Sequence, residues 1–412
     1  MHSQAKLHLQ SDSAPVCRMR DRLLLLAAAA AVMMTAGCAS TVVLDRAVLA
    51  YDTTTAESVS KQLLLNIARA HRNEPMHFTA VSSITATYKF AINAGLGGAL
   101  TGENGGRLVP VIGGVAEENP TVSISPMQGD EFTQRLLTPF VEEKLTLLLR
   151  QGYDVDSLLR LMGAELRLQD GGPDKVAVHR NRPSDREGYI IFRRVVSHLS
   201  AIQDLHGLNV EPLHFQRSWT VPADKVTPET FGSIYKDFSL NLAADKRAYL
   251  VSKRVNGRVM ITNYDPVVLS NEERVRLHAE AEEAPANDIL LDIRAGHAGG
   301  EYPLHGRLRL RSFHEVVTFI GRGIEEEPEV DVPPDPRTPA ITENPVHTLE
   351  IVEARESPPG ADLSVQWRGY YYAVREQSGY QWNKKAFSLL YQLFQMSMSP
   401  VGATGPAITI SK

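Results

Sequence analysis

Between Met76 and Leu100 the chain alternates with a two-residue period for about 25 residues, where ordinary strands run ~5–6. Even positions bring Phe78, Ile84, Tyr88, Phe90, Ile92 and Leu96; odd positions bring Thr79, Ser83, Thr85, Thr87, Lys89 and Asn93. Such alternation puts one set of side chains on a dry face and the other on a wet face of a single β-strand. Thr101 to Gly106 (Thr-Gly-Glu-Asn-Gly-Gly) is a turn by composition, and Arg107 to Ser125 reads as the returning strand. Its alternation is clean only at Thr121 to Ser125, and Pro110, Pro120 and Glu118 weaken the rest. A long Gly/Ala-rich β-hairpin over residues 76–126 is therefore expected. At ~3.3 Å per residue its first limb would reach about 80 Å, against the ~9–11 residues of a strand that crosses a bilayer.

The first forty residues read as an address rather than as fold. Arg18, Arg20 and Arg22 give a basic start, and Leu23 to Met34 is an unbroken apolar run of about 12 residues, short of the ~20 of a spanning helix. Thr35-Ala36-Gly37-Cys38 follows, and this stretch resembles the lipobox of bacterial lipoproteins. The resemblance implies cleavage before Cys38, fatty acylation (palmitate) of its thiol, and a membrane anchor through that lipid. In that family Asp after the cysteine favours inner-membrane retention, so Ala39 implies the outer membrane, with the body on its periplasmic face. Met19 would start a tidier signal than Met1. The sequence holds two cysteines, and Cys17 lies in the discarded part. The mature chain is then expected to have no free thiol for a disulfide or a thiolate metal site, so a core must stabilise it.

The remainder reads as an α+β fold, with antiparallel strands and flanking helices. Residues 1–37 are the signal peptide, 38–75 a tether and first helix, 76–126 the hairpin and 127–324 an α+β body. Residues 325–345 form a Pro/Glu linker, and 346–412 a β-hairpin plus helix. The first helix is expected from Thr55 to about His71, with Val59, Leu63 and Ile67 at helical spacing. Thr138-Pro139 suggests a helix start, and Asp154 caps a helix whose apolar face is expected to run from Val155 through Met162 to Leu166. Ser184 to His206 holds a further helix, and Thr227-Pro228 opens a short one. Asn256-Gly257 is a strong two-residue hairpin signal between Ala248–Val255 and Arg258–Tyr264. Ser270 with Glu273, and Ser312 with Glu315, are capping-box patterns. Residues 325–345 are rich in proline and acid, with little to bury, and are expected to be extended and disordered.

Two stretches carry a wider resemblance. Gln62-Leu63-Leu64-Leu65-Asn66-Ile67 with Phe78 is one, and Pro120-Thr121-Val122-Ser123-Ile124-Ser125-Pro126 running into Phe132 and Leu136-Leu137-Thr138-Pro139 is the other. With Lys385, Phe387 and Leu389-Leu390 they resemble a group of uncharacterised proteobacterial envelope lipoproteins, which implies no particular activity.

Chemistry-bearing motifs are sparse. The sequence has no Gly-x-Ser-x-Gly elbow, no Walker loop and no His-Glu-x-x-His. His297, Glu301 and His305 have metal-ligand spacing, but Gly299, Gly300 and Pro303 forbid a steady helix there, so a polar turn is expected and no metal or cofactor. A net charge of -5 gives no nucleic-acid footprint. The expected role is non-enzymatic: a lipid-anchored structural or assembly component of the envelope, with homo-oligomer contacts through the hairpin. One alternative is a subunit of an oligomeric β-barrel export pore built from pooled hairpins. There Tyr88 and Phe90 would mark the interface, and Ile92, Leu96 and Leu100 would face lipid. The other is a periplasmic ligand-binding or hydrolytic domain using Tyr370 to Tyr372.

Overall fold

The computed structural model describes residues 48–97, 109–169, 175–227, 238–376 and 381–398, and the side chains of these other than 82–121. The signal peptide, Cys17, Cys38, Leu100 and the turn at 101–106 lie outside the described residues, as does Pro228. The chain divides into a unit of residues 1–60 and a unit of residues 61–412. The described helix over residues 48–71 (α1) belongs to the first as far as Ser60 and to the second from Lys61.

The second unit is α+β. Its largest sheet has seven strands in the order β4-β3-β9-β8-β7-β5, with β6 also on β7. These are β3 (Gly163–Gln169), β4 (Val176–Arg180), β5 (Asn209–Pro222), β6 (Ser239–Leu242), β7 (Ala248–Thr262), β8 (Asp288–Ile293) and β9 (Leu304–Leu310). All pairings are antiparallel except β7 with β8, which run parallel because helix α6 (Asn271–Glu282) carries the chain between them. Every residue of β8 is buried, so the sheet is covered on both faces there. On one face Leu213, Met260 and Leu290 close against Leu277 and Ala281 of α6.

Two sequence expectations fail in this sheet for identifiable reasons. Asn256-Gly257 makes no hairpin: β7 runs straight through it, and the register against β5 slips between Pro212 and His214, leaving a bulge. A Cβ on Gly257 would lie 2.7 Å from His278 Nδ1 and 3.1 Å from Phe215, so the glycine serves close approach of α6 rather than a turn. The helix that starts after Asp154 ends at Met162 (α4, Val155–Met162), Asp154 stands at its N-cap without a side-chain cap bond, and Leu166 sits in β3. Likewise α3 (Glu142–Arg150) begins after Pro139, which bridges Ser312 instead of starting the helix. Helix α5 (Arg186–Asp204) and the full capping box of Ser312 and Glu315 on α7 (Phe313–Gly323) lie where the sequence puts them.

The segment 325–345 is extended, but it is a strap held by buried charge rather than a disordered linker. Arg160 and Arg193 are 0% and 1% exposed. Arg160 ion-pairs with Asp156 and donates to Pro345 O at 2.6 Å; Arg193 donates to Pro345 O at 2.9 Å and Val346 O at 3.0 Å. Glu329 returns the charge, accepting from Tyr189 Oη at 2.8 Å and Thr348 Oγ1 at 2.7 Å. Without these acceptors two guanidiniums would stand unneutralised in the core, at a cost of several kcal/mol. Arg311 is buried beside them, donating to Asn181 O, with burial drawing its pKa down to about 10.

Beyond the strap, β10 (Ile351–Ala354), β11 (Ser364–Trp367) and β12 (Tyr370–Val374) form a three-stranded sheet with β12 in the middle. The β11–β12 hairpin turns through Arg368 and Gly369, both at positive φ, and β10 pairs with β12. Helix α8 (Trp382–Ser397) packs on α4 and α7.

Candidate functional site

The hairpin stands apart from both sheets. β1 (Phe78–Gly97) and β2 (Val109–Met127) pair only with each other among the described residues. At ~3.3 Å per residue β1 is about 65 Å long. Its root is bolted into the body by two kinds of contact. Phe78, 1% exposed, stacks on Phe394 at 4.7 Å between centroids and approaches Phe313 and Phe132 at 6.3 and 6.2 Å. The side chains of α1 then act as a surrogate strand. The Asn66 carboxamide donates to His77 O at 2.9 Å and accepts from His77 N at 2.8 Å, and Gln62 Oε1 accepts from Thr79 N at 2.7 Å. Gln62, Asn66 and Phe78, singled out by resemblance, therefore converge on this socket.

The alternation of the sequence is not one face from end to end. The register passes from Val81↔Ile124 to Ser83↔Ser123, so Ser82 is an extra residue and the parity changes there. Phe78 and Ile84 are both even, yet they fall on opposite sides of the ladder. Above the bulge the two strands are in phase. Ile84, Ala86, Tyr88, Phe90, Ile92, Ala94 and Leu96 pair with Val122, Pro120, Glu118, Ala116, Gly114, Ile112 and Pro110. The other parity pairs Ser83 with Ser123, Thr85 with Thr121, Thr87 with Asn119 and Lys89 with Glu117, and farther out Ala91 with Val115, Asn93 with Gly113 and Gly95 with Val111. Tyr88, Phe90, Ile92 and Leu96 thus share one register parity; Leu100 lies outside the described residues. Just above the root Val122 and Ile124 are 46% and 63% exposed, an apolar stem with nothing over it among the described residues.

The polar groups of the body form ion networks. Sequence reading did not find the main one, because its members come from α6, β8 and β9. His305 on β9 accepts or donates at both ring nitrogens, to Asp292 Oδ1 at 3.0 Å and Glu280 Oε1 at 2.9 Å. These two carboxylates lift its pKa to about 9, so both nitrogens carry protons near neutrality. Burial opposes charge on Asp292, but His305, Tyr264 and Arg294 donate to it and hold its carboxyl below the usual range. A doubly bonded imidazolium has no free lone pair for base catalysis, and the network reads as a tie between α6 and the sheet. His297 and Glu301 lie in the turn from β8 to β9, with His297 beside the Tyr264 ring. Among the described residues no group of three His, Cys, Asp or Glu converges at metal-ligand spacing.

Tyr370 to Tyr372 are on β12 with separate surroundings. Tyr372 is buried, accepting from Arg72 Nε at 3.2 Å, while Tyr370 lies under the Arg72 guanidinium and opens on a cleft. No family model, curated protein or solved structure matches the chain.

Proposed function

We propose that this chain is a lipid-anchored outer-membrane protein with a structural or assembly role in the envelope, tethered through Cys38 and joined to further copies of itself through the β1–β2 ribbon. The observation that carries this reading is a socketed two-stranded ribbon with no third strand among the described residues. Such a ribbon leaves both edges of backbone N–H and C=O groups open and is marginal alone in water, so further strands complete it. Copies of the same chain supply them with matching length and phase.

A second reading is favoured by the register itself. The in-phase apolar parity, with Lys89 opposite Glu117 on the other parity, is the pattern of a strand pair with one lipid side and one wet side. A lone hairpin cannot span a bilayer, and a closed barrel needs about eight strands, hence at least about four copies. Glu118, opposite Tyr88, is the residue that fits this reading worst.

The test is fractionation and sizing of the detergent-solubilised protein. Cys38→Ser should abolish palmitate labelling and release the protein from membranes. Deleting Asn93 to Val115 should reduce the particle to one copy, and planar-bilayer conductance lost with that deletion would select the pore. A wild-type particle of one copy would sink both readings.

A further inference from the structure

A cleft of about 490 Å3 opens between helix α7 and β10, within the range of ligand sites. Its lining has a telling pattern. From the strand side it takes every residue of 349–355 in succession. A strand that shows a face contributes alternate residues; one that shows its edge contributes all of them. β10 is the outer strand of its sheet, with β12 on its inner side alone. Arg375 N donates to Glu350 O at 2.9 Å, which fixes the ladder phase. Glu350, Val352 and Ala354 therefore bond inward to β12, and the N–H and C=O groups of Ile351 and Glu353 point to the cleft.

The opposite wall is Phe319 and Ile320 of α7 and Ile324 just after it, with Glu325 beyond them. Among the described residues no backbone bond is made by this edge, and it shares the cleft with an apolar helix wall. Arg355, at the end of the strand, is exposed and makes no ion pair or hydrogen bond among the described residues; its guanidinium lies 5.8 Å from the Tyr370 ring centre. Arg375, at the other end, is already held by Glu350 at 2.6 Å.

We infer that this cleft binds an extended peptide, which adds a strand to the edge of β10, sets apolar side chains at alternate positions against α7, and brings a carboxylate to Arg355. Main-chain pairing gives such a complex its affinity and the alternate pockets its selectivity. The carboxylate belongs either to a chain terminus or to an acidic side chain. The inference is independent of the ribbon and of Cys38.

The test is fluorescence anisotropy on the detergent-solubilised protein with fluorescein-labelled heptapeptides alternating Val/Thr, Ile/Ser and Leu/Thr. Each is made with a free carboxyl end, with an amidated end, and with an amidated end plus a penultimate Glu. At least one carboxylate-bearing peptide should bind saturably, and the amidated form lacking Glu should bind at least tenfold more weakly. The arm that binds tells terminus from side chain. Arg355→Glu, a surface change, should weaken binding at least tenfold. N-methylation of one alternate set of peptide amides should abolish binding, while methylation of the other set should leave it. If no peptide binds, if both methylated sets behave alike, or if Arg355→Glu has no effect, the inference is overturned.

Discussion

The described residues contain two long antiparallel strand pairs, and these have opposite fates. β1–β2 has strands of 20 and 19 residues and β5–β7 of 14 and 15, and each pair carries one bulge. In β5–β7, however, β8 joins along the edge of β7 and α6 covers a face, so Leu213, Phe215, Val259, Met260 and Ile261 are all at or below 2% exposure. Its far half loses that cover, and Trp219 and Leu250 are each 43% exposed. Among the described side chains of β1–β2 only Phe78 is buried, and exposure begins within a few rungs, at Ile124 and Val122. Alternation alone specifies a strand; a third strand and a helix decide whether it joins a core.

If that contrast is right, changes in the body and root should be felt in global unfolding, and changes beyond the bulge should not. The largest effect is expected from Arg193→Ala. It leaves Glu329 buried with one partner fewer and should cost about 3–5 kcal/mol in urea unfolding. A loss under ~1 kcal/mol would mean that the strap lies outside the cooperative unit. Phe78→Ala should cost about 3 kcal/mol, because the root belongs to the body. If it merely loosens the ribbon and leaves the urea midpoint unmoved, the border has been drawn one element too late.

His305→Gln gives a smaller, pH-dependent loss. The folded pKa is raised to about 9 from an unfolded ~6.5, so the stabilisation is complete below ~6.5 and disappears as pH rises through about 9. With solvent screening at a partly exposed site it is on the order of 1 kcal/mol. The wild-type advantage over the variant should therefore shrink between about pH 7 and about pH 10; an advantage that grows instead would contradict the ion network. Deletion of Asn93 to Val115 should move body stability least, within about 0.5 kcal/mol. A larger fall would show that the ribbon supports the fold that holds it.

The legible parts of the sequence were those whose signal is local. Period two announced β1, and Ser312 with Glu315 announced α7. What could not be read depended on distant partners. Asn256-Gly257 has strong turn propensity, but β5 and His278 claim it from outside. In Val155 to Leu168 a helical apolar stripe passes straight into the alternation of β3, and the join leaves no break in the pattern. The ribbon's face was read as continuous because one extra residue at Ser82 changes phase without changing composition. The ion network around His305 joins three elements, and none of them carries a motif of its own.

The strap has a consequence for the order in which the chain can mature. Arg160 finds its carbonyl partner 185 residues downstream, at Pro345, and Arg193 finds one 153 residues away, at Val346. A chain emerging from its amino end presents Arg160 with Asp156 already beside it, but it presents Arg193 136 residues before its carboxylate partner Glu329, and both arginines long before the carbonyls that complete their bonding. The interior therefore cannot close on a partly delivered polypeptide, and a product truncated before Pro345 would stay open to proteases. Completion of the core thus reports that most of the polypeptide has arrived.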